Sequence, residues 1–300
     1  MTFRPVDFFQ SDASAARDQF LGVCEDAALE VWSKGKVGEK GCVIDIARIG
    51  SPDAASVLVL TSGVSEGEGL CASAVQCCVL AGPVRRELPK NVGILFVHAI
   101  QPCWKQIVPN STFTGTERAW EDDLLVAADS RYEEYVRGKK VAAEPVEGSL
   151  EVRLDEDDVE GRVSSYLERA KRIGIIDVRT GPGEFGHCDV IACAGRATQA
   201  GQRAALWFGA KTDMADSASS AVPSPLVQSL IRSLPSAELA AVVMEFGTYS
   251  LKVMLGSVPG RFFYPENSEW QLQVWQKAHA VIQHAMWAMD KSLPPRPIND

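Results

Sequence analysis

Three short, unbroken apolar runs constrain this chain more than anything else in it. They occupy 56–61 (Ser-Val-Leu-Val-Leu-Thr), 91–98 (Asn-Val-Gly-Ile-Leu-Phe-Val-His) and 240–246 (Ala-Ala-Val-Val-Met-Glu-Phe). None shows the apolar–polar alternation of a strand with one wet face. Runs of this kind suit a sheet covered by helices on both sides. Between the first two lies 68–80, rich in small and apolar residues, which reads as a crossover helix. Strand, helix and strand in that order make a βαβ unit, since parallel strands need a crossover. The second half repeats the theme with strand-type runs at 173–178 and 189–194, and another run at 42–48 comes early in the chain. The expected fold is α/β. It is one domain over 1–300, with a mixed, mostly parallel central sheet flanked by helices.

Helical periodicity fills much of the remainder. Ser11-Asp12 is a capping pair, and Phe20, Cys24, Ala27, Ala28 and Val31 recur at three and four. That pattern predicts a first helix running to Lys34-Gly35. Further helices are expected at 120–136, 159–171 and 268–289, the last kept from extending by Pro294, Pro295 and Pro297. The polar stretch 139–158, closing on Asp155-Glu156-Asp157-Asp158, reads as a solvated loop rather than an interaction tail. There is no internal repeat and no low-complexity linker.

Charge and cysteine usage narrow the function classes. The formal net charge is -9, which argues against nucleic acid as a partner, because phosphate binding needs a basic face. It argues equally against an anionic membrane surface. No run approaches the roughly 20 apolar residues that span a bilayer, and the opening residues carry no apolar signal segment. A cytoplasmic location is the expectation. The eight cysteines include no C-x-x-C pair. Buried free thiols are expected, not a disulfide framework or a cysteine zinc site.

In open α/β sheets, sites lie beyond the carboxyl ends of the strands. Three strand ends here carry polar, Gly-rich text: 61–69, 177–187 and 245–249. These segments resemble the zinc carboxypeptidase superfamily, and most of all its bacterial branch known as a domain of unknown function. Residues Thr61 to Gly69 follow that branch's T-S-G-x-H-G-x-E-G. His98-Ala99-Ile100-Gln101-Pro102 follow H-A-x-N-P, and Asp177 to His187 follow D-x-H-T-G-x-G-x-x-G-H. Glu245 to Tyr249 follow E-x-G-T-Y, and Phe9-Gln10-Ser11 before a helix also fits. The resemblance implies a zinc-carboxypeptidase-like fold and an ancestral hydrolysis of peptide or acyl-amino-acid amide bonds.

The resemblance also assigns roles, and the chain departs from them. Zinc would be held at the positions of Ser65, Glu68 and Arg179, where the family has His, Glu and His. Serine is a poor neutral ligand, and a guanidinium stays protonated with no lone pair to give. No metal or other cofactor is therefore expected unless a rebuilt site recruits zinc through His187 or His98. Arg179 should sit beside Glu68 and face Glu245, taking over part of the metal's charge. Glu245 stands where the family has its general base, and Arg118 matches an arginine of the family's substrate-gripping stretch. The Asn-Arg expected further along that stretch is replaced by Ala127-Ala128.

Two readings of function stand side by side. In the first, the chain is a pseudoenzyme-like member with a degenerate metal site. It binds a small carboxylate or peptide-like ligand, or a protein partner or second copy of itself, through Arg179, Arg118 and Glu245, with Ser65, Glu68 and His187 lining the site. In the second, it is an active amide hydrolase that uses a rebuilt metal site or Ser65 as nucleophile. Gly63-Val64-Ser65-Glu66-Gly67 has the G-x-S-x-G spacing between a strand and a helix, with His187 as the candidate base. Other groups read as scaffold. His279 and His284, five apart, do not share one helix face, and Trp270, Trp275 and Trp287 read as core or interface. Tyr249 reads as packing, and Gly181-Pro182-Gly183 lacks the Lys-Ser or Lys-Thr of a phosphate loop.

Overall fold

The computed structural model describes residues 3–35, 43–62, 66–99, 156–181, 183–211, 223–234, 237–249 and 263–290. Its centre is a seven-stranded sheet. The strands are β1 (Val31–Gly35), β2 (Val43–Ile49), β3 (Ser56–Ser62), β4 (Val92–Ala99), β5 (Arg172–Gly181), β6 (Cys188–Ala192) and β7 (Glu238–Gly247), in the order β1-β2-β4-β3-β5-β7-β6. The central pairings β4·β3, β3·β5 and β5·β7 are parallel, whereas β1·β2, β2·β4 and β6·β7 are antiparallel. The sheet is therefore mixed, parallel in its centre and flanked by helices. The expected βαβ unit is β3, helix α2 (Glu66–Ala81; α1 is Ala13–Asp26) and β4. Gln76 of α2 ties the unit together by donating from Nε2 to the carbonyls of Leu60 (3.0 Å) and Val97 (3.2 Å).

The apolar runs become central strands because both of their faces are covered. After a single turn, α3 (Pro83–Arg86), the remaining α-helices among the described residues are α4 (Glu156–Leu167), α5 (Gln199–Phe208), α6 (Pro225–Ser233) and α7 (Ser268–Met289). On one face Leu58, Leu60, Ile176, Val242 and Met244 pack with Phe20, Val75, Trp270 and Val274 of α1, α2 and α7. On the other, Val57, Val59, Ile173 and Ile175 meet Val163 and Leu167 of α4 and Val227 and Leu230 of α6. Each such side chain contributes about 1.5–3 kcal/mol through burial.

The first helix is shorter than its periodicity suggests. It stops at Asp26, and residues 31–35 form β1. The amide of Leu29 donates to Cys24 and that of Ala28 to Glu25, a Schellman closure with Ala28 at φ 52. Glycine normally takes that left-handed position, so its usual stop signal is missing. β5 also runs on to Gly181, beyond the 173–178 run read from the sequence, and α4 begins before 159 and ends at Leu167. β1, α5 and α6 were not anticipated. The expected helix 120–136 and most of the loop 139–158 lie outside the described residues. The six described cysteines are free, and Cys24, Cys71, Cys77 and Cys78 are buried.

α7 matches its predicted span and is fixed at both ends. Asn267 caps it, its side chain accepting from the amides of Glu269 (2.9 Å) and Trp270 (3.1 Å). At the other end Ser56 Oγ and Arg172 Nη1 both donate to the Met289 carbonyl at 2.8 Å. An Asn267→Ala variant should lose about 1 kcal/mol of stability, read as a lower urea midpoint with an unchanged slope. Among the described residues, no helix is long and apolar enough to cross a membrane.

Candidate functional site

The polar ends of β3, β5 and β7 meet at the carboxyl edge of the sheet, as the topology requires. In parallel pairs, register partners point to the same face. Thr61 pairs with Asp177, and Arg179 with Glu245. Asp177 and Arg179, two apart on β5, also share that face. Two turns of chemistry are thereby gathered without any loop having to place them.

Asp177 is the hub. Its carboxylate is fully buried and accepts three hydrogen bonds: from Thr61 Oγ1 at 2.7 Å, the Ser224 amide at 2.9 Å and Arg179 Nη2 at 2.7 Å. Arg179 is itself only 3% exposed. Burial pulls its guanidinium pKa down, but the charges of Asp177, Glu68 and Glu245 outweigh burial and hold it above its ordinary value. The side chain is a permanent cation. Its Nε–H is buried with no hydrogen-bond partner among the described residues.

Two further carboxylates complete the cluster. Glu68, in the first turn of α2, is 4% exposed and acts on Arg179 through its charge. Glu245 is partly buried and folds back over bare backbone. A Cβ on Gly181 would lie 2.6 Å from Glu245 Oε1, so the glycine makes room for the carboxylate. Cys193 lies within reach of the same charges. Burial, and then Asp177, raise its thiol pKa to about 12, with Arg179 opposing. It is a neutral thiol.

The structure thus brings Glu68, Arg179 and Glu245 together. His187 stands at the rim, about half exposed (49%), its Nε2 3.4 Å from Asp189, which also accepts from Lys211 Nζ at 2.8 Å. Asp189 is the register partner of Glu245 on β6, so this ion cluster lies beside Glu245. Ser65 and Arg118 lie outside the described residues. His98 belongs elsewhere. It faces the α1–α2 layer, with Nε2 3.0 Å from Ser73 Oγ and its ring stacked on Phe20 at 4.1 Å. Tyr249 packs against Phe185, and Trp270 and Trp275 are buried in the core.

Sequence reasoning missed Asp177 as Arg179's hydrogen-bond partner, and with it Thr61 and Ser224. The signal for Asp177 was present: in a strand, residues two apart share a face. Ser224 carried no such signal, because it arrives from a distant helix start. Among the described residues, no group of three His, Cys, Asp or Glu side chains is placed to hold a metal ion.

A comparison with known folds places this site in context. The structure resembles the glutaminyl cyclase of Fimbriiglobus ruber (TM-score 0.50, 14% identity), covering 97% of each chain. It is also similar to a succinylglutamate desuccinylase from Chromobacterium violaceum (TM-score 0.41, 12% identity, 94% of this chain and 76% of that one). A third likeness is to a Zn-dependent exopeptidase from Parabacteroides distasonis (TM-score 0.44, 10% identity, 93% of this chain and 94% of that one). At such identities the first likeness speaks of fold alone. No curated protein sequence matches. Residues 9–104 and 160–260, more than half of the chain and inclusive of β3, β5 and β7, match one family across the whole cluster just described. The chain belongs to the family described as Protein of unknown function (DUF2817).

Proposed function

We propose that this chain is a zinc-carboxypeptidase-like protein with a degenerate metal site, whose cleft works without zinc and binds a small carboxylate or peptide-like ligand or a protein partner. The observation that carries this reading is the buried Arg179 among Asp177, Glu68 and Glu245. A guanidinium there supplies a fixed positive charge to carboxylates that otherwise repel one another.

The donor set does not fit zinc. Zinc takes lone pairs from imidazole, thiolate or carboxylate. Arg179 has none to give, and Asp177 is already committed to three donors. The Cys193 thiol is protonated far above neutrality.

Metal analysis of untagged protein, purified without chelator and then equilibrated with zinc, is the test. The natural chain should retain far less than one zinc per molecule while remaining folded. The double substitution Ser65→His with Arg179→His should bind about one zinc per chain, since it restores three ligands around one position. Stoichiometric zinc in the natural chain ends the metal-free reading.

A further inference from the structure

A second buried ion cluster joins α1 to the sheet. Asp45 of β2 is fully buried. Its Oδ2 accepts from Arg17 Nε at 2.7 Å, and its Oδ1 accepts from Arg17 Nη2 at 2.9 Å and from Ser33 Oγ at 2.6 Å. A two-pronged guanidinium–carboxylate pair is a strong one, so Arg17 clamps α1 to β2. His98, the register partner of Asp45 on β4, stands beside the clamp. Its Nδ1 is 3.8 Å from Oδ2, the same oxygen that Arg17 Nε uses, and has no hydrogen-bond partner among the described residues. Its Nε2 is 3.0 Å from Ser73 Oγ of α2.

With a neutral ring the clamp is closed, and burial keeps the ring neutral at pH 7 by holding its pKa down to about 4. A proton added to the ring leaves an N–H on both nitrogens, whichever carried one before. Nδ1–H and Arg17 Nε–H then compete for one oxygen, and one carboxylate faces two cations in a buried place, which is costly. The cation that leaves is the one that regains water. The Arg17 side chain is 26% exposed and that of His98 only 1%. The Phe20 ring, stacked on His98 at 4.1 Å, also favours a cation on the imidazole. Among the described residues, Asp45 of β2 and Arg17 of α1 are the charged groups that face the ring. Asp18 acts on Arg17 from its own helix. The nearby titratable groups are the Cys24 thiol, on which Asp45 acts, and the Cys77 thiol, hydrogen-bonded to Ser73; burial raises both and keeps them neutral.

We infer that the Arg17–Asp45 clamp is an acid-released latch. Protonation of His98 draws Asp45 Oδ2 onto Nδ1–H and frees the Arg17 side chain to solvent, loosening α1 while the sheet stays folded. The two events are linked reciprocally. Arg17 disfavours the proton on His98, so the proton weakens the hold of Arg17 by the same factor. The latch lies in the α1 layer and does not depend on whether the Arg179 cluster holds a metal.

An NMR titration of the full chain from about pH 7 to about pH 3.5 is the test, following the His98 ring, the Arg17 Nε–H and the backbone amides. The Arg17 Nε–H resonance should leave its paired position with the same midpoint as the His98 ring, while the amides of α7 keep their folded positions. Arg17→Met removes the competing cation and should raise the His98 midpoint by about one pH unit, a tenfold gain in proton affinity. His98→Gln should hold the Arg17 resonance in place across the same range. The inference is overturned if Arg17 stays paired while His98 titrates, or if α7 loses its folded positions together with the latch. It is overturned equally if the His98→Gln chain releases Arg17 at the same pH, which would make protonation of Asp45 itself the cause. Should His98→Gln fail to fold, the Arg17→Met titration decides, and an unchanged His98 midpoint overturns the inference.

Discussion

Replacing Asp177 with alanine is expected to cost about 3–5 kcal/mol of stability, the largest effect of any single change at this site. The carboxylate is fully buried and serves Thr61 Oγ1, the Ser224 amide and Arg179 Nη2 at once. Removing it strands a buried guanidinium and two further donors. The size of the loss comes from that stranded charge more than from the bonds themselves. Asp177→Ala combined with Arg179→Met should therefore recover a large part of the loss, because both charges leave together. Urea denaturation of the two variants beside the natural chain decides it. Equal destabilisation of single and double variants means that Asp177 does not act through Arg179.

Acid should destabilise the fold through His98, by about 2–3 kcal/mol between neutrality and about pH 4.5. His98 is completely buried, and burial holds its imidazole pKa down near 4 against an ordinary 6.5. Asp45 pulls that value up and Arg17 pulls it down. Among the described residues these are the charged groups that face it, with Asp45 Oδ2 3.8 Å from its Nδ1. The unfolded chain binds the proton more tightly, since its histidine titrates near the ordinary value. Stability is thus highest above 6.5, falls progressively as pH drops from 6.5 toward 4, and loses no more through this group below 4. A His98→Gln chain should start less stable at neutral pH, having lost the stacking on Phe20. Its urea midpoint should then fall less steeply with acid. Parallel pH profiles for the two proteins remove His98 as the cause.

The parts of the fold that were legible are those with a local cause. β3, β4 and β7 lie where the apolar runs are, and α7 spans its predicted residues because cap, periodicity and stop all agree. The parts that were not legible lack a local cause. β1 was hidden in a helical pattern because the chain turns at Ala28, where no glycine marks it. α5 and α6 are short, and they exist as packed elements because they cover sheet faces that only the assembled sheet presents.

The site divides along the same line. By itself the sequence determined that the polar, Gly-rich segments at three strand ends carry Glu68, Asp177, Arg179 and Glu245. Those facts are matters of residue identity and order. Only the tertiary structure decided that Arg179 turns to Asp177 for its hydrogen bond while Glu68 and Glu245 act on it through charge, and that one buried Nε–H is left over. The reason is geometric. The parallel register of β3, β5 and β7 sets Thr61, Asp177, Arg179 and Glu245 on one face, and the start of α6 brings the Ser224 amide to the same carboxylate. Hydrogen bonds are won by position within a few tenths of an ångström, and position is a property of the assembled sheet rather than of any segment within it.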